Sequence, residues 1–344
     1  MRRIALLVTV LALAGLAAAG VGLALALKWY HAPLAGAAEG STVEIAPGQT
    51  VAAIADGLAA RGVLDHPRLW ALFARFSGQA ARVRAGEYAL REGMTPEGLL
   101  ELLVSGRVVL HPVTLIEGWT FAEALAAVQA NPVVKTTLKG TPAQTMELLG
   151  SPGVAPEGQL FPDTYLVPRG ATDLEVLKLA HARLEERLAA AWSQRRKDLP
   201  LKSAYEALIL ASIVEKETGA PEERPRIAGV FVNRLRLGMR LQTDPTVIYG
   251  LGAAYDGSLH RRDLLTDTPY NTYTRAGLPP TPIALPSAEA LQAAVQPLPG
   301  DDLYFVATGR GDGRHVFSPT LAQHDAAVAR YLAQLRGVTH GAHR

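Results

Sequence analysis

The first feature of the chain is an uninterrupted apolar segment. Residues 4–27 contain only apolar residues, glycine and Thr9. A helix of this length, rising about 1.5 Å per residue, crosses a hydrocarbon core of about 30 Å. Signal peptides have a shorter apolar region of about 7–15 residues, although the alanine-rich run at 35–38 leaves cleavage open. The pattern predicts a transmembrane helix followed by a tether over residues 28–42.

Positive charges around the segment predict its orientation. Arg2 and Arg3 lie in the short N-terminus, residues 1–3, and the positive-inside rule places them in the cytoplasm. Lys28 and His31 follow the segment and oppose this only weakly. We therefore expect the bulk of the protein on the outer side of the cytoplasmic membrane.

Three segments after the tether share one pattern, in which an apolar run or tight turn leads to a glycine and a threonine. Thr50, Thr95 and Thr120 can each N-cap the helix that follows, and Pro96 suits a first helical position. The pattern predicts small strand-turn-helix units, which ordinary α+β packing would also produce. Residues 43–109 resemble in this pattern a LysM-type glycan-binding module, a βααβ unit.

The sequence pattern of residues 110–344 predicts a second domain of mixed α+β structure. A glycine- and proline-rich stretch predicts an ordered loop at residues 153–168. Helical periodicity and strand signals then predict four helices (173–199, 203–219, 227–237 and 321–335) and a hairpin of strands 303–307 and 314–318.

Composition excludes several chemistries. The chain of 344 residues has no cysteine, so disulfides, thiolate metal sites and a cysteine nucleophile are excluded. Its nine histidines are scattered, and we expect no metal and no cofactor. Without Arg2 and Arg3, basic and acidic residues are equal in number, which argues against nucleic acid as a partner.

The helix at 203–219 carries the candidate acid. Glu217 shares a helical face with Leu210 and Val214, whereas Glu215 lies on a different face. A carboxyl group on an apolar face has a raised pKa, because desolvation disfavours its charged form, and a general acid needs this near neutral pH. Gly219 is placed to end the helix as a C-cap glycine.

The residues alone leave three interpretations of Glu217. It could belong to a glycosidase pair, act as a solitary acid/base, or be a buried structural carboxylate. Asp244, Glu222 or Glu223 could supply the second carboxylate of a pair. Thr243 or Asp244 could equally be a simple cap of the helix that starts near residue 245. The tyrosines, asparagine and prolines of residues 270–286 suit the wall of a sugar cleft.

Several motifs, in this order, resemble the YceG-like family, the endolytic murein transglycosylases. They are Glu157–Tyr165 (EGQLFPDTY), Ala211–Gly219 (ASIVEKETG), Val230–Arg236 (VFVNRLR), Gly238–Gly250 (GMRLQTDPTVIYG), Tyr270–Tyr273 (YNTY), Gly277–Pro280 (GLPP) and Leu303–Ala307 (LYFVA). One departure is Thr281, where glycine is expected after the prolines.

The resemblance implies an α+β protein with an N-terminal transmembrane helix, the LysM-like module and a lysozyme-like catalytic domain. It implies a single-pass inner-membrane protein with a periplasmic catalytic domain, cleaving the MurNAc-GlcNAc β-1,4 bond within nascent peptidoglycan strands. The products would be 1,6-anhydro-MurNAc ends, which terminate strand elongation, and peptidoglycan synthases would be partners. Glu217 would be the catalytic residue, and substrate would contact Asn233, Gln242, Thr243, Asp244, Tyr270, Asn271 and Tyr273. A muramidase that hydrolyses the same bond and a non-catalytic wall-binding scaffold are the alternatives.

Overall fold

A computed structural model describes residues 2–341, with side chains as far as residue 336. The chain forms two compact units. The first contains the residues up to His111 together with Val167–Arg169, and the second contains Pro112–Leu166 and the chain from Gly170 onwards. Helices and short antiparallel strands occur in both, so the predicted mixed α+β class is confirmed.

The first unit begins with the predicted apolar helix. Within residues 2–341 this is the one helix long and apolar enough to cross a membrane. Two strands then enclose two helices in chain order and pair antiparallel with each other. The elements are α1 (Arg2–Tyr30), β1 (Thr42–Ile45), α2 (Val51–Ala60), α3 (Pro67–Phe76), a 3-10 turn (Ala80–Arg82), β2 (Gly86–Ala89) and α4 (Pro96–Ser105).

Large aromatic side chains close the core of this unit. Trp70 on α3 is completely buried, and its indole N–H donates to the Pro96 carbonyl at 2.9 Å. The hydroxyl of the buried Tyr88 donates to the carbonyl of Leu103 at 3.2 Å. Burial of an aromatic ring stabilises a fold most when its polar tip is also satisfied, as in both of these residues.

Part of the predicted tether packs against this core. Leu34 is buried, and its N–H donates to the Met94 carbonyl at 2.8 Å. At Gly36 a Cβ atom would lie 1.8 Å from the Gly62 carbonyl oxygen, so the backbones approach too closely for any other residue. Residues 34–37 therefore belong to the packed unit.

The second unit is mainly helical. Strands β3 and β4 form one two-stranded sheet, and β5 and β6 form the predicted antiparallel hairpin. The elements from residue 110 onwards are β3 (Leu110–Thr114), α5 (Phe121–Ala130), α6 (Pro142–Leu148), β4 (Thr164–Pro168), α7 (Asp173–Ser193), α8 (Ala204–Glu217), α9 (Arg224–Arg236), α10 (Asp244–Leu251), α11 (Arg261–Leu265), α12 (Ala288–Val295), β5 (Tyr304–Ala307), β6 (His315–Ser318) and α13 (Leu321–Gly341), with 3-10 turns at Pro221–Glu223 and Gly252–Ala254. The start of β3 and the end of β4 are counted with the first unit.

The threonine caps predicted from sequence are confirmed. The hydroxyl of Thr50 accepts the N–H of Ala53 at the start of α2, and that of Thr95 accepts the N–H of Gly98 at the start of α4. Thr120 forms a full capping box at the start of α5. Each cap satisfies an N–H group that the helix itself leaves unpaired.

Helix α8 is the central element of the second unit. Every residue from Ala207 to Val214 is buried, and the helix packs against α12 and α9. The face that Glu217 shares with Leu210 and Val214 is buried as expected, and neighbours cover the other faces of this stretch as well. The C-cap prediction is wrong, since Thr218 is the C-cap residue and Gly219 does not adopt a left-handed conformation.

Two glycine-to-alanine changes test the close approach in the first unit. We expect Gly36→Ala to destabilise the unit by about 1–3 kcal/mol, because the added methyl group overpacks against Gly62. Gly57→Ala is the control, since it meets open space inside α2 and should stabilise by about 0.5–1 kcal/mol. Hydrogen exchange of peptides from residues 43–105 measures both changes. Equal protection in the two variants would contradict the assignment of residues 34–37 to the packed unit.

Candidate active site

Glu217 is the last residue of α8 and lies at a cavity of about 480 Å³ in the second unit. Its side chain is partly buried, and part of it faces the cavity. The other residues that line the cavity are Arg234, Leu241, Gln242, Asp244, Tyr273, Tyr304, Phe305, Leu321, His324 and Asp325.

Thr243 holds the Glu217 carboxyl group in place. The Thr243 hydroxyl donates a hydrogen bond to Oε1 of Glu217. Thr243 occupies the N-cap position of α10, but its side chain makes no capping hydrogen bond. The interpretation of Thr243 as a simple cap is therefore wrong, because its hydroxyl contacts the candidate acid instead.

Two further threonines fix the backbone of Thr243. The Thr272 hydroxyl accepts the N–H of Thr243 at 3.1 Å, and the Thr246 hydroxyl donates to the Thr243 carbonyl at 2.8 Å. The hydroxyl groups of Thr246 and Thr272 are 2.9 Å apart. All three threonines are buried, so this network sets the direction in which the Thr243 hydroxyl points.

Burial raises the pKa of Glu217 to about 7. The nearby Asp244 carboxylate raises it further, whereas the Thr243 hydrogen bond and the Arg234 guanidinium lower it. Burial outweighs the two stabilising contacts because it removes the water that would solvate a carboxylate. Near neutral pH the group is therefore present in both its protonated and its charged form.

Glu215 has a different environment two residues earlier. Its side chain is only 6% exposed, and it accepts a hydrogen bond from Arg224 at 3.0 Å and another from the N–H of Ser287 at 2.9 Å. These contacts join the end of α8 to the start of α9 and to the residue before α12. Glu215 therefore supports the fold and does not face solvent.

Of the three candidates for a second carboxylate, only Asp244 lines the cavity. Its Oδ1 accepts a hydrogen bond from the Tyr273 hydroxyl at 2.5 Å. Glu222 pairs with Arg314 at 2.8 Å, and Glu223 pairs with His315 at 2.7 Å, so both bind the hairpin.

Gln242, Thr243, Asp244 and Tyr273 are thus brought together around Glu217, as expected for residues of one site. Gln242 has a φ of 52°, and it is the one non-glycine residue with positive φ in the part of the chain that the structure describes. Such a conformation costs about 1–3 kcal/mol and persists where the surroundings enforce it. Here the Gln242 side chain accepts a hydrogen bond from Arg234 at 3.3 Å.

Four of the residues expected to bind substrate lie outside the cavity lining, namely Thr243, which contacts Glu217 from the buried side, and Asn233, Tyr270 and Asn271. The amide of Asn233 donates to the carbonyls of Gly300 and Asp302, at 3.0 and 3.1 Å. The buried Asn271 amide donates to carbonyls at the end of α11, and its shortest hydrogen bond, 2.6 Å, is to the carbonyl of Thr266, the C-cap residue. Tyr270 lines a separate cavity. Substrate contact stays a prediction for all seven residues, inside the lining and outside it.

Sequence reasoning missed Arg234 as a site residue. Its guanidinium is buried at the cavity and donates to the carbonyls of Leu303 and Leu241, at 2.6 and 2.9 Å. It also lies over the Tyr304 ring, 5.1 Å from the ring centre. The sequence did contain a signal for this role. Arg234 lies between Val232 and Leu235, two apolar residues of the motif VFVNRLR, and a guanidinium buried there needs several hydrogen-bond partners.

The last helix and the hairpin supply the rest of the cavity lining. His324 on α13 stacks on the Tyr304 ring, with centroids 5.1 Å apart. Its Nδ1 is buried and has no hydrogen-bond partner among the residues that the structure describes. Burial lowers the pKa of His324, which favours the neutral imidazole.

Glu217→Gln tests the burial of the carboxyl group through stability. Between about pH 4.5 and 7 the folded protein holds a proton that the unfolded chain has lost, so wild-type stability falls as pH rises. We expect Glu217→Gln to be more stable than wild type by up to about 3 kcal/mol at pH 8. The two proteins should converge below pH 4.5. Urea unfolding at both pH values measures this, and a difference independent of pH would contradict it.

Residues 43–330 match the YceG-like family. An endolytic murein transglycosylase of Bacillus subtilis is 31% identical over an aligned length of 311 positions, gaps included, and the match covers 85% of this chain and 84% of that protein. Another, of Streptococcus pneumoniae, is 30% identical over an aligned length of 325 positions, and the match covers 85% of this chain and 58% of that protein. The crystal structure of a YceG-like protein from Listeria monocytogenes has a TM-score of 0.51 at 28% identity, over 83% of this chain and 98% of that one. This chain therefore belongs to the YceG-like family.

Proposed function

We propose that this protein is an endolytic murein transglycosylase in which Glu217 is the general acid and then the general base. The observation that carries the proposal is the Glu217 carboxyl group itself, which is desolvated, has a pKa of about 7, and faces a cavity large enough for a ligand. The substrate would be the glycan strand of peptidoglycan, as the names of the related proteins say of them.

One carboxyl group suffices for this reaction. Protonated Glu217 donates its proton to the leaving oxygen O4 as the bond from the muramyl C1 to O4 breaks. Charged Glu217 then accepts the proton of the 6-hydroxyl of the same muramyl residue as O6 bonds to C1. The result is a 1,6-anhydro end and a free 4-hydroxyl, with no water consumed. An intramolecular nucleophile has a high effective concentration, which replaces the advantage of an activated water.

The surroundings of Glu217 suit both steps. A pKa of about 7 makes the group a usable acid and a usable base at the same pH. The Thr243 hydrogen bond at Oε1 fixes the carboxyl group, so that Oε2 is the oxygen available to exchange the proton. Gln242, Asp244 and Tyr273 would bind sugar hydroxyl and acetamido groups around it.

Hydrolysis of the same bond is the second candidate. A muramidase needs two carboxylates across the glycosidic bond, and Asp244 shares the cavity with Glu217. Asp244 is already bound by the Tyr273 hydroxyl, an arrangement that favours a fixed charge over an activated water. A charge fixed there would stabilise a developing oxocarbenium ion in either reaction.

The first unit would hold the enzyme at its substrate. The order strand, helix, helix, strand in residues 42–89 supports a LysM-like module that binds glycan, and the second unit would be the lysozyme-like domain. The apolar helix α1 would be a single-pass anchor with Arg2 and Arg3 in the cytoplasm. Binding to peptidoglycan synthases stays a prediction. A non-catalytic wall-binding scaffold is the alternative to the enzyme, and such a scaffold would form no product from glycan strands.

Glu217→Gln tests the catalytic assignment directly. We expect product formation from purified glycan strands to fall by at least about 100-fold, because the amide cannot donate or accept the catalytic proton. Glu222→Gln is the matched control, since Glu222 is exposed and lies outside the cavity lining. Mass spectrometry of the wild-type products should show anhydro-muramyl ends. Products heavier by one water would establish the muramidase, and wild-type turnover by Glu217→Gln would refute the assignment.

Thr243→Val tests how the acid is tuned. The lost hydrogen bond stabilised the charged carboxylate, so the pKa of Glu217 should rise above 7. The alkaline limb of the kcat/KM profile should move to higher pH, while Thr243→Ser should keep the wild-type profile. An unchanged limb in Thr243→Val would show that the hydroxyl does not act on Glu217.

A further inference from the structure

The first unit contains a cavity of about 640 Å³ that the proposed chemistry does not use. One wall is the face of α1 that carries Gly22, Leu25, Ala26 and Trp29, which recur at the i, i+3, i+4, i+7 spacing of a helix. The other wall is residues 65–69, at the start of α3. The volume is within the range of about 300–1,000 Å³ typical of ligand sites.

Two aromatic contacts hold the walls of this cavity together. The ring of the buried Tyr30, at the end of α1, stacks on that of Phe73 on α3, with centroids 4.3 Å apart. The Trp29 ring meets the His66 ring edge to face, with centroids 5.3 Å apart. Such ring pairs stabilise a contact beyond the area that they bury. The start of α3 is therefore fixed against the end of α1.

The cavity lies at the level where the apolar segment of α1 ends. That segment ends at Leu27, between Ala26 and Trp29, and the helix rises about 10 Å from Gly22 to Trp29. In the anchor proposed above, these two turns would pass from the hydrocarbon core into the headgroup layer, where tryptophan is enriched. The molecule available to fill a cavity at this level is a membrane lipid.

Two opposite charges line the polar wall of the cavity. Asp65 and Arg68 are three residues apart, and both are exposed. Among the residues that the structure describes, neither side chain forms a salt bridge or a hydrogen bond, with the other or with a third residue. A carboxylate and a guanidinium that share a cavity without pairing suit a ligand that itself carries both charges.

We propose that this cavity binds one phosphatidylethanolamine molecule of the surrounding membrane. The Arg68 guanidinium would donate to the lipid phosphate, and the lipid ammonium would donate to the Asp65 carboxylate. The beginning of the acyl chains would pack against Leu25 and Ala26. Phosphatidylglycerol has no cation for Asp65, and the choline group of phosphatidylcholine has no N–H to donate. The proposal rests on α1 being the anchor and is independent of the role of Glu217.

A lipid bound there would determine how the first unit stands on the membrane. Tyr30 and residues 34–37 are packed into this unit, so α1 continues into it without a free linker. A headgroup held between α1 and α3 would add a second attachment to the membrane beside the helix itself. Two attachments fix the tilt of a unit, which one helix alone leaves variable.

Titration of the full chain with three lipids tests the headgroup assignment. The chain is purified in detergent, and binding of phosphatidylethanolamine, phosphatidylglycerol and phosphatidylcholine with identical acyl chains is measured by native mass spectrometry. We expect one phosphatidylethanolamine to bind at least about 5-fold more tightly than the other two, as one extra charge pair near a surface allows. Asp65→Asn should abolish the preference over phosphatidylglycerol. Equal affinity for the three lipids, or tighter binding of phosphatidylglycerol, would overturn the proposal.

Two pairs of variants test the location. Arg68→Gln should weaken phosphatidylethanolamine binding at least about 5-fold, whereas Arg75→Gln, exposed on the same helix but outside the lining, should change it less than about twofold. Gly22→Phe fills the cavity, and Gly20→Phe is its control, because both glycines have open space around them and only Gly22 belongs to the lining.

We expect Gly22→Phe to weaken binding at least about 5-fold and Gly20→Phe to leave it unchanged, because only the first side chain occupies the space of the lipid. Thermal unfolding in the same detergent confirms that both variants are folded. Equal binding by the two phenylalanine variants would refute the location. Release of the wild-type chain from membranes by alkaline carbonate would refute the anchor, and the lipid site with it.

Discussion

The proposed chemistry depends on one hydrogen bond, from the Thr243 hydroxyl to Glu217. A threonine at an N-cap position ordinarily uses its hydroxyl on the backbone of its own helix. Here Thr272 and Thr246 bind the backbone of Thr243, so the hydroxyl is directed at the carboxylate. Thr272 lies in a segment without helix or strand. This segment thus positions Glu217 indirectly, by fixing Thr243.

Two glutamates of one helix end have opposite roles because their partners differ. Glu215 has a guanidinium at 3.0 Å and joins α8 to α9 and to the start of α12. The arginine that lines the same cavity as Glu217, Arg234, donates to backbone carbonyls and to Gln242, so it stabilises the charge of Glu217 only partly. Desolvation without full pairing is what distinguishes a working acid from a structural carboxylate.

Sequence reasoning predicted the features that depend on nearby residues. The apolar helix, the threonine caps at Thr50, Thr95 and Thr120, and the hairpin all follow from local pattern, and the structure has them. It did not predict the features that depend on contacts between segments far apart in the chain. The shared helical face selected Glu217, but the helix is covered on every face from Ala207 to Val214, so the roles of the two glutamates depend on their contacts with Arg224 and Thr243. The role of Arg234 and the helix at 288–295 likewise depend on packing between segments far apart in the chain.

The lining of the active-site cavity comes from both ends of the second half of the chain. Tyr304 and Phe305 of the hairpin and Leu321, His324 and Asp325 of α13 lie more than 80 residues after Glu217, yet they line the same cavity. A partly synthesised chain therefore contains the acid and its threonine partner before it contains the opposite wall. Cleavage competence would appear only when the last helix docks, so an enzyme that cuts the cell wall has no formed site while it is still being made.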